Sequence, residues 1–180
     1  MANEDHVTRA GYAVGVWNQW RDEHPEIAPD LSGAVISSGL HRGRKLFGAN
    51  LSGTDFRRSN MREVLLQDSD LKSADLSKTD LRGANLSNSD LASAALSKAT
   101  LIGANLQGAN LTGASLDKAQ FGEADLTGAN LENANLLEAD FETAAGLTQA
   151  QVDKGKGDNT TKLPSGLKRP AHWVQSQTAK

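Results

Sequence analysis

The sequence predicts an all-β solenoid, a chain that turns a corner every five residues and stacks coil upon coil. Three observations carry this. From Leu31 to Phe141 every fifth residue lines up without a slip, and 22 of these 23 positions hold Leu, Phe, Ile or Met; the exception is His41. Two residues before the large one, 20 of the 23 positions hold a small residue, Ala at 14 of them and unbroken from Ala94 to Ala139. Asp or Asn often precedes the large residue, as in Ala74-Asp75-Leu76 and Ala109-Asn110-Leu111, and Gly recurs two positions after it, as at Gly53, Gly83, Gly103 and Gly113. A period of five fits neither the 3.6 of an amphipathic helix nor the 2 of an alternating strand. It fits a cornering chain: the large residue points inward, the small one lets backbones approach, and Gly, Asp and Asn tolerate turn dihedrals. Backbone groups unpaired within a coil then pair with the coils above and below.

Composition supports a single domain with short appendages. The chain has 180 residues, 38% apolar and only 4% aromatic, so a core of large rings is not expected. Without cysteine there is no disulfide, thiolate metal site or cysteine nucleophile. No run of 18 apolar residues offers a membrane span. The opening Met-Ala-Asn-Glu-Asp-His carries acid where a signal peptide needs basic charge, so a cytoplasmic placement is expected.

On these repeats the sequence resembles the pentapeptide-repeat family, whose motif is A-(D/N)-L-X-X, over residues 29–143. The resemblance implies a right-handed quadrilateral (four-sided) parallel β-helix with four pentapeptides per coil. Twenty-three repeats would then make about six coils, a rod of roughly 28 Å at about 4.8 Å per strand. Phe121 and Phe141, twenty residues apart, should stack. The expected organisation is an N-terminal helical cap over 1–28, the β-helix over 29–145, and a short helix with a basic tail over 146–180.

Both ends of a solenoid expose open edges that need covering. Over residues 5–24, Val7, Ala10, Val14 and Trp17 form a helical apolar stripe with Trp20 close by, and helix-plus-coil is a common arrangement in the family. This predicts a helix covering the first coil, ending before Pro25. Thr148-Gln-Ala-Gln151 reads as a capping box opening a short helix. Beyond it, the resemblance and composition imply an extended tail in which Leu163, Leu167 and Trp173 lie along the rod, with disorder of the last ten residues as the alternative. The first coil is irregular: His41 and Arg44 fall at inward positions and Lys45 follows, predicting distortion near 39–46. Phe47 and Leu65, outward on one side, mark where the N-terminal helix would fold back.

No catalytic constellation emerges. His6, His24, His41 and His172 are scattered with no metal-ligand spacing. Ser and Asp recur by repeat position and lack a histidine partner for a triad. Neither enzyme activity nor a cofactor or metal is expected.

Charge is organised along the chain. Residues 1–30 carry −4, 31–98 carry +3, 99–145 carry −6 and 146–180 carry +4. Counting by twenty, Arg58, Lys78, Lys98 and Lys118 form one column, and Arg42, Arg62 and Arg82 another on the adjoining side. Such columns are either balanced by interleaved carboxylates, with Asp80 and Glu63 near in sequence, or face an anionic partner. The acidic half holds Asp117, Glu123, Asp125, Glu132, Glu138, Asp140 and Glu142.

The resemblance points to a non-enzymatic protein-interaction or scaffold module that binds another protein. The alternative it raises is a DNA-mimicking modulator of DNA gyrase or topoisomerase, like the quinolone-resistance pentapeptide proteins, which pair through their C-terminal ends. Here the acidic half would supply the mimicking surface. Direct nucleic-acid binding through the basic columns is disfavoured, because no stacking aromatics accompany them. Whether the chain is a monomer or homodimer is left open.

Overall fold

The computed structural model describes residues 2–11, 13–36 and 46–173. Parallel bridges join residues twenty apart from Asn50–Asp70 through Asp125–Ala145, so four pentapeptides close one coil. The pairing runs through a single residue per side. Thus Leu71 N–H donates to Asp90 C=O at 2.8 Å, and Asp90 N–H donates to Ser69 C=O at 2.9 Å.

Each corner is a four-residue turn closed by a bond such as Ala74 N–H to Leu71 C=O, 3.1 Å. Its third residue takes positive φ, both at glycines such as Gly103 (67°) and at twelve non-glycine residues, among them Arg58 and Lys98 (61° each). The Asp/Asn preference has a further cause. Its side-chain oxygen accepts the N–H two residues on, as Asp75 does from Ser77 and Asn105 from Gln107, both at 3.0 Å. The side chain thereby satisfies a corner amide that the ladder leaves open.

The interior is a dry stack. Leu76, Leu96 and Leu116 are fully buried, as is the alanine at every fifth position from Ala94 to Ala124, apart from a 1% trace at Ala104. Phe121 and Phe141 lie face to face with ring centroids 4.5 Å apart.

The first coil departs from the twenty-residue register. Asp30 pairs with Asp55 and Val35 with Asn60, twenty-five residues on. One pentapeptide more than the register needs therefore lies between Ile36 and Leu46. Counting by twenty across this stretch is corrected: Leu31 stands in line with Phe56, because its N–H bonds Asp55 C=O at 2.7 Å. The distortion expected near 39–46, and with it His41, Arg42, Arg44 and Lys45, lies outside the described residues but for Leu46, which is buried.

The expected N-terminal helix is two helices, α1 (Glu4–Arg9) and α2 (Val14–Glu23). Gly11, of low helix propensity, interrupts the stripe, and the two pieces dock at different points of the N-terminal edge, α1 at Asp30 and α2 at Gly48 and Asn50. Asn3 caps α1, its side chain accepting from the N–H groups of Asp5 and His6. α2 folds back beside Phe47, as expected, but does not cover its side chain: Phe47 stays 48% exposed, and Leu65 is half-buried. The helix bonds coil backbone instead. Trp17 Nε1–H donates to Asn50 C=O (2.7 Å), Asn18 Nδ2–H to Gly48 C=O (2.9 Å), and the buried Arg21 to the carbonyls of Ile27 and Ser52. Backbone acceptors fix position where a side-chain contact on an outward face would not.

At the other end, α3 (Gln149–Val152) opens with a full capping box between Thr148 and Gln151. Gln151 Nε2 also donates to the carbonyls of Leu126 and Ala129, sealing the last coil. The chain then pairs onward, Asn135 with Lys156 and Asp140 with Lys162. Trp173 is buried and bonds Gly155 C=O at 2.9 Å, while Leu163 and Leu167 pack partly against the core. Among the described residues no helix is long and apolar enough to cross a membrane.

Candidate functional site

In every pentapeptide the inward positions and the Asp/Asn are committed to the fold, so chemistry open to partners resides in the two exposed corner residues. The strongest charge lies on the corner that follows Phe56, Leu76, Leu96 and Leu116. It carries Arg57, Arg58, Lys78, Lys98 and Lys118 on successive coils, about 4.8 Å apart.

These cations differ in their pairing. Arg57 reaches Asp55 at 2.6 Å and Asp75 one coil away at 3.6 Å. Hydrogen bonding to that guanidinium holds the Asp55 carboxyl below the usual carboxylate range. Lys118 pairs with Glu138 at 3.2 Å. Arg58, Lys78 and Lys98 make no ion pair among the described residues. Among the described residues, the expected four-cation column thus reduces to three cations without an ion pair and a neutralised fourth.

The second column is reduced further. Arg82 pairs with Asp80 at 2.5 Å, which lowers the Asp80 pKa through the same hydrogen bonding, and Arg62 makes no ion pair among the described residues. Arg42 lies outside them. Of the two carboxylates expected to interleave, Asp80 does so, and Glu63 also has an interaction partner. Lys72, on another side, bridges Asp70 and Asp90 at 3.6 and 3.1 Å.

The acidic residues do not form one face. Asp117 and Glu138 share the corner of Lys118, Glu123 and Glu142 occupy the next, and Glu132 sits on another. Asp117 accepts from Ser97 and Ser115 (2.5 and 2.9 Å), and Asp125 from Thr127 and Gln107 (2.6 and 2.5 Å). Asp140 is held by Lys162 at 2.8 Å, which lowers its pKa.

The histidines play structural parts where described. His6 Nδ1 accepts from Asp30 N–H at 3.0 Å, and the rings of His6 and His24 flank Trp20 at 5.4 and 5.6 Å. No group of His, Asp and Glu among the described residues is arranged to hold a metal ion.

A groove of about 970 Å³ opens where α1 overhangs the basic corner, with Val7 and Thr8 on one wall and Ala34, Val35, Arg58 and Lys78 on the other. Sequence reasoning missed it. The one signal was Val35 itself, an apolar residue where the repeat favours Asp or Asn.

The repeat profile for pentapeptide repeats matches this chain in eight copies over residues 45–83, 79–117, 89–128 and 114–144. The chain belongs to the pentapeptide-repeat family. Among solved structures, this pentapeptide-repeat protein is similar to alr5209, a pentapeptide repeat protein from Nostoc PCC 7120. Identity there is 35%, covering 63% of this chain and 77% of that one, with a TM-score of 0.34. It is also similar to Rfr23 from the cyanobacterium Cyanothece 51142, at 26% identity over 81% of this chain and 97% of that one, TM-score 0.33. A third likeness is to QnrB1, a plasmid-mediated fluoroquinolone resistance protein, at 21% identity over 69% of this chain and 74% of that one, TM-score 0.27. No curated protein matches the sequence.

Proposed function

We propose that this pentapeptide-repeat protein is a non-enzymatic binding module, a rigid scaffold that engages another protein through the corner bearing Arg58, Lys78 and Lys98. The observation that carries the reading is their stacking on successive coils of one corner with no carboxylate partner among the described residues, where Arg57 and Lys118 of the same corner each have one. Like charges on successive coils repel, and a partner's carboxylates would relieve that repulsion. In this reading the rod has about six right-handed coils. Helices α1 and α2 cover one end at Asp30 and Asn50, and α3 with the tail closes the other, leaving sides and corners for partners.

Affinity capture with three baits tests it: the natural chain, Lys78→Glu with Lys98→Glu, and Lys72→Glu as a control in an internally paired cation. A protein held by the natural and control baits and lost from the double variant supports the basic corner. Equal capture by all three overturns it.

The DNA-mimic alternative has weaker support, since the acids are spread over three corners and Gln151 and the tail cover the C-terminal edge. Gyrase supercoiling assayed with the purified chain is expected to be unchanged. Inhibition that disappears on neutralising Glu123 and Glu142 would favour the alternative.

A further inference from the structure

The N-terminal edge of the rod presents backbone groups at three described bridge residues, Asp30, Val35 and Asn50, and two of them are capped. Asp30 donates to His6 Nδ1 at 3.0 Å and accepts from Asn3 N–H at 3.1 Å. Asn50 donates to Asn18 Oδ1 at 2.8 Å and accepts from Trp17 Nε1–H at 2.7 Å. For Val35, nothing among the described residues meets its outward N–H and C=O, and its side chain is 57% exposed. An open edge with an exposed apolar side chain is a template for strand addition. This edge forms the upper rim of the groove beneath α1, whose lower wall carries Arg58 and Lys78.

We propose that the groove docks an extended acidic peptide segment of a partner protein, which pairs its backbone with Val35 and sets carboxylates against Arg58 and Lys78. The proposal rests on the scaffold reading of the same corner and names the chemistry of its occupant. Charge complementarity selects acid: the lining holds two cations without an ion pair among the described residues against one carboxylate, Glu4 on the α1 wall, since Arg57 is already neutralised. The geometry selects an extended chain. One residue of the peptide pairs at Val35 and the rest turns down the corner, along the axis on which Arg58 and Lys78 are stacked; there alternate side chains about 6.7 Å apart meet cations about 4.8 Å apart, a difference that the flexible Arg and Lys arms absorb. Val7 and Ala34 give the alternate, apolar side chains a wall to lie on.

The test uses a fluorescein-labelled ten-residue peptide of alternating Glu and Val, its binding to the full chain read by anisotropy at low salt. The expected result is saturable binding that weakens at least tenfold on Arg58→Glu or Lys78→Glu. Binding should tighten on Glu4→Gln, which removes the one opposing charge. Val35→Pro deletes the docking N–H and should weaken binding roughly tenfold, the worth of one hydrogen bond, with an unchanged circular dichroism spectrum. Should Val35→Pro disturb the fold, the same peptide N-methylated at alternate amides serves as the second probe on the natural chain. Equal binding of methylated and unmethylated peptide overturns the strand pairing. No binding of either, or displacement of the peptide by a single-stranded oligonucleotide at equal charge, overturns the acidic-peptide occupant. If the partner captured through Lys78 and Lys98 binds Val35→Pro normally, this inference fails while the scaffold reading stands.

Discussion

Leu136 and Leu137 are adjacent leucines with opposite fates, and truncating each to alanine tests the register of the coils. Leu136 is 1% exposed and Leu137 is 40% exposed. The walls around Leu136 cannot close on a vacancy. Its N–H is tied to Lys156 C=O at 2.8 Å, its C=O to Ala139 N–H at 3.0 Å, and its methyl group lies so close to Gly155 that a Cβ there would be 2.5 Å away. A rigid site places Leu136→Ala in the upper part of the 2–5 kcal/mol range for such truncations, about 4 kcal/mol. Leu137→Ala leaves no internal cavity and forfeits partial burial only, about 1 kcal/mol. In urea, with a slope of about 2 kcal/mol per molar, the midpoints should fall by about 2 M and about 0.5 M respectively. Far-UV circular dichroism and tryptophan fluorescence read the same transitions. Equal shifts, or a larger one for Leu137, would mean a register displaced by one residue and would refute the interior assigned here.

Three further outcomes follow from the described contacts. Ser59 is buried with its hydroxyl unpartnered among the described residues, whereas Ser89 donates to Leu86 C=O at 2.7 Å. Ser59→Ala should therefore stabilise by about 1 kcal/mol and Ser89→Ala destabilise by about the same, measured by thermal melts. Gly103→Ala has open space and only its positive φ against it, costing about 1 kcal/mol, while at Gly146 a Cβ would meet Thr127 backbone nitrogen at 2.6 Å. Gly146→Ala should release α3 and the tail, seen as exposure of Trp173. Asp55, Asp80 and Asp140 have pKa values lowered by Arg57, Arg82 and Lys162. Lowered folded values give stability that is present above the unfolded carboxylate range near about 3.9 and lost as pH falls through the folded values. The melting temperature should hold from neutral pH to about 5 and drop below about 4; a flat profile down to about pH 2 would contradict these pairings.

The interior was legible because the repeat writes it directly: a Leu at every fifth position is a Leu in the stack, and Phe121 on Phe141 followed from counting by twenty. The capping box of α3 was legible because its bonds are local. Relations between coils were less so. The added pentapeptide between Ile36 and Leu46 equals the period in length, so the frame passes through it unbroken and only the Asp30–Asp55 pairing reveals it. Counting columns by twenty also overstated free charge, since it overlooked partners within a pentapeptide, such as Asp80 for Arg82, and partners on the next coil, such as Glu138 for Lys118. The break in the N-terminal helix depended on where its halves find unpaired carbonyls and amides, at Asp30 and at Gly48–Asn50. No helical periodicity encodes that.

The three cations without an ion pair among the described residues also occupy backbone positions that L residues resist. Arg58, Lys78 and Lys98 all have φ of 61°, a conformation costing about 1–2 kcal/mol for a residue with a Cβ. Glycine fills the same turn position at Gly53, Gly83, Gly103 and Gly113. Replacing all three cations by glycine relieves the strain and the mutual repulsion, and loosens the unfolded chain by about 0.4–1 kcal/mol per site. The relief exceeds the loss by about 0.5–1 kcal/mol per site, so the triple glycine variant should melt several degrees above the natural chain. If these side chains serve recognition, the same variant should lose the partner held by the natural bait. A triple variant several kcal/mol less stable would mean that the arms of Arg58, Lys78 and Lys98 hold the coils together, and their lack of ion pairs would no longer argue for a binding surface. A stable variant that still captures the partner would remove the corner from recognition altogether.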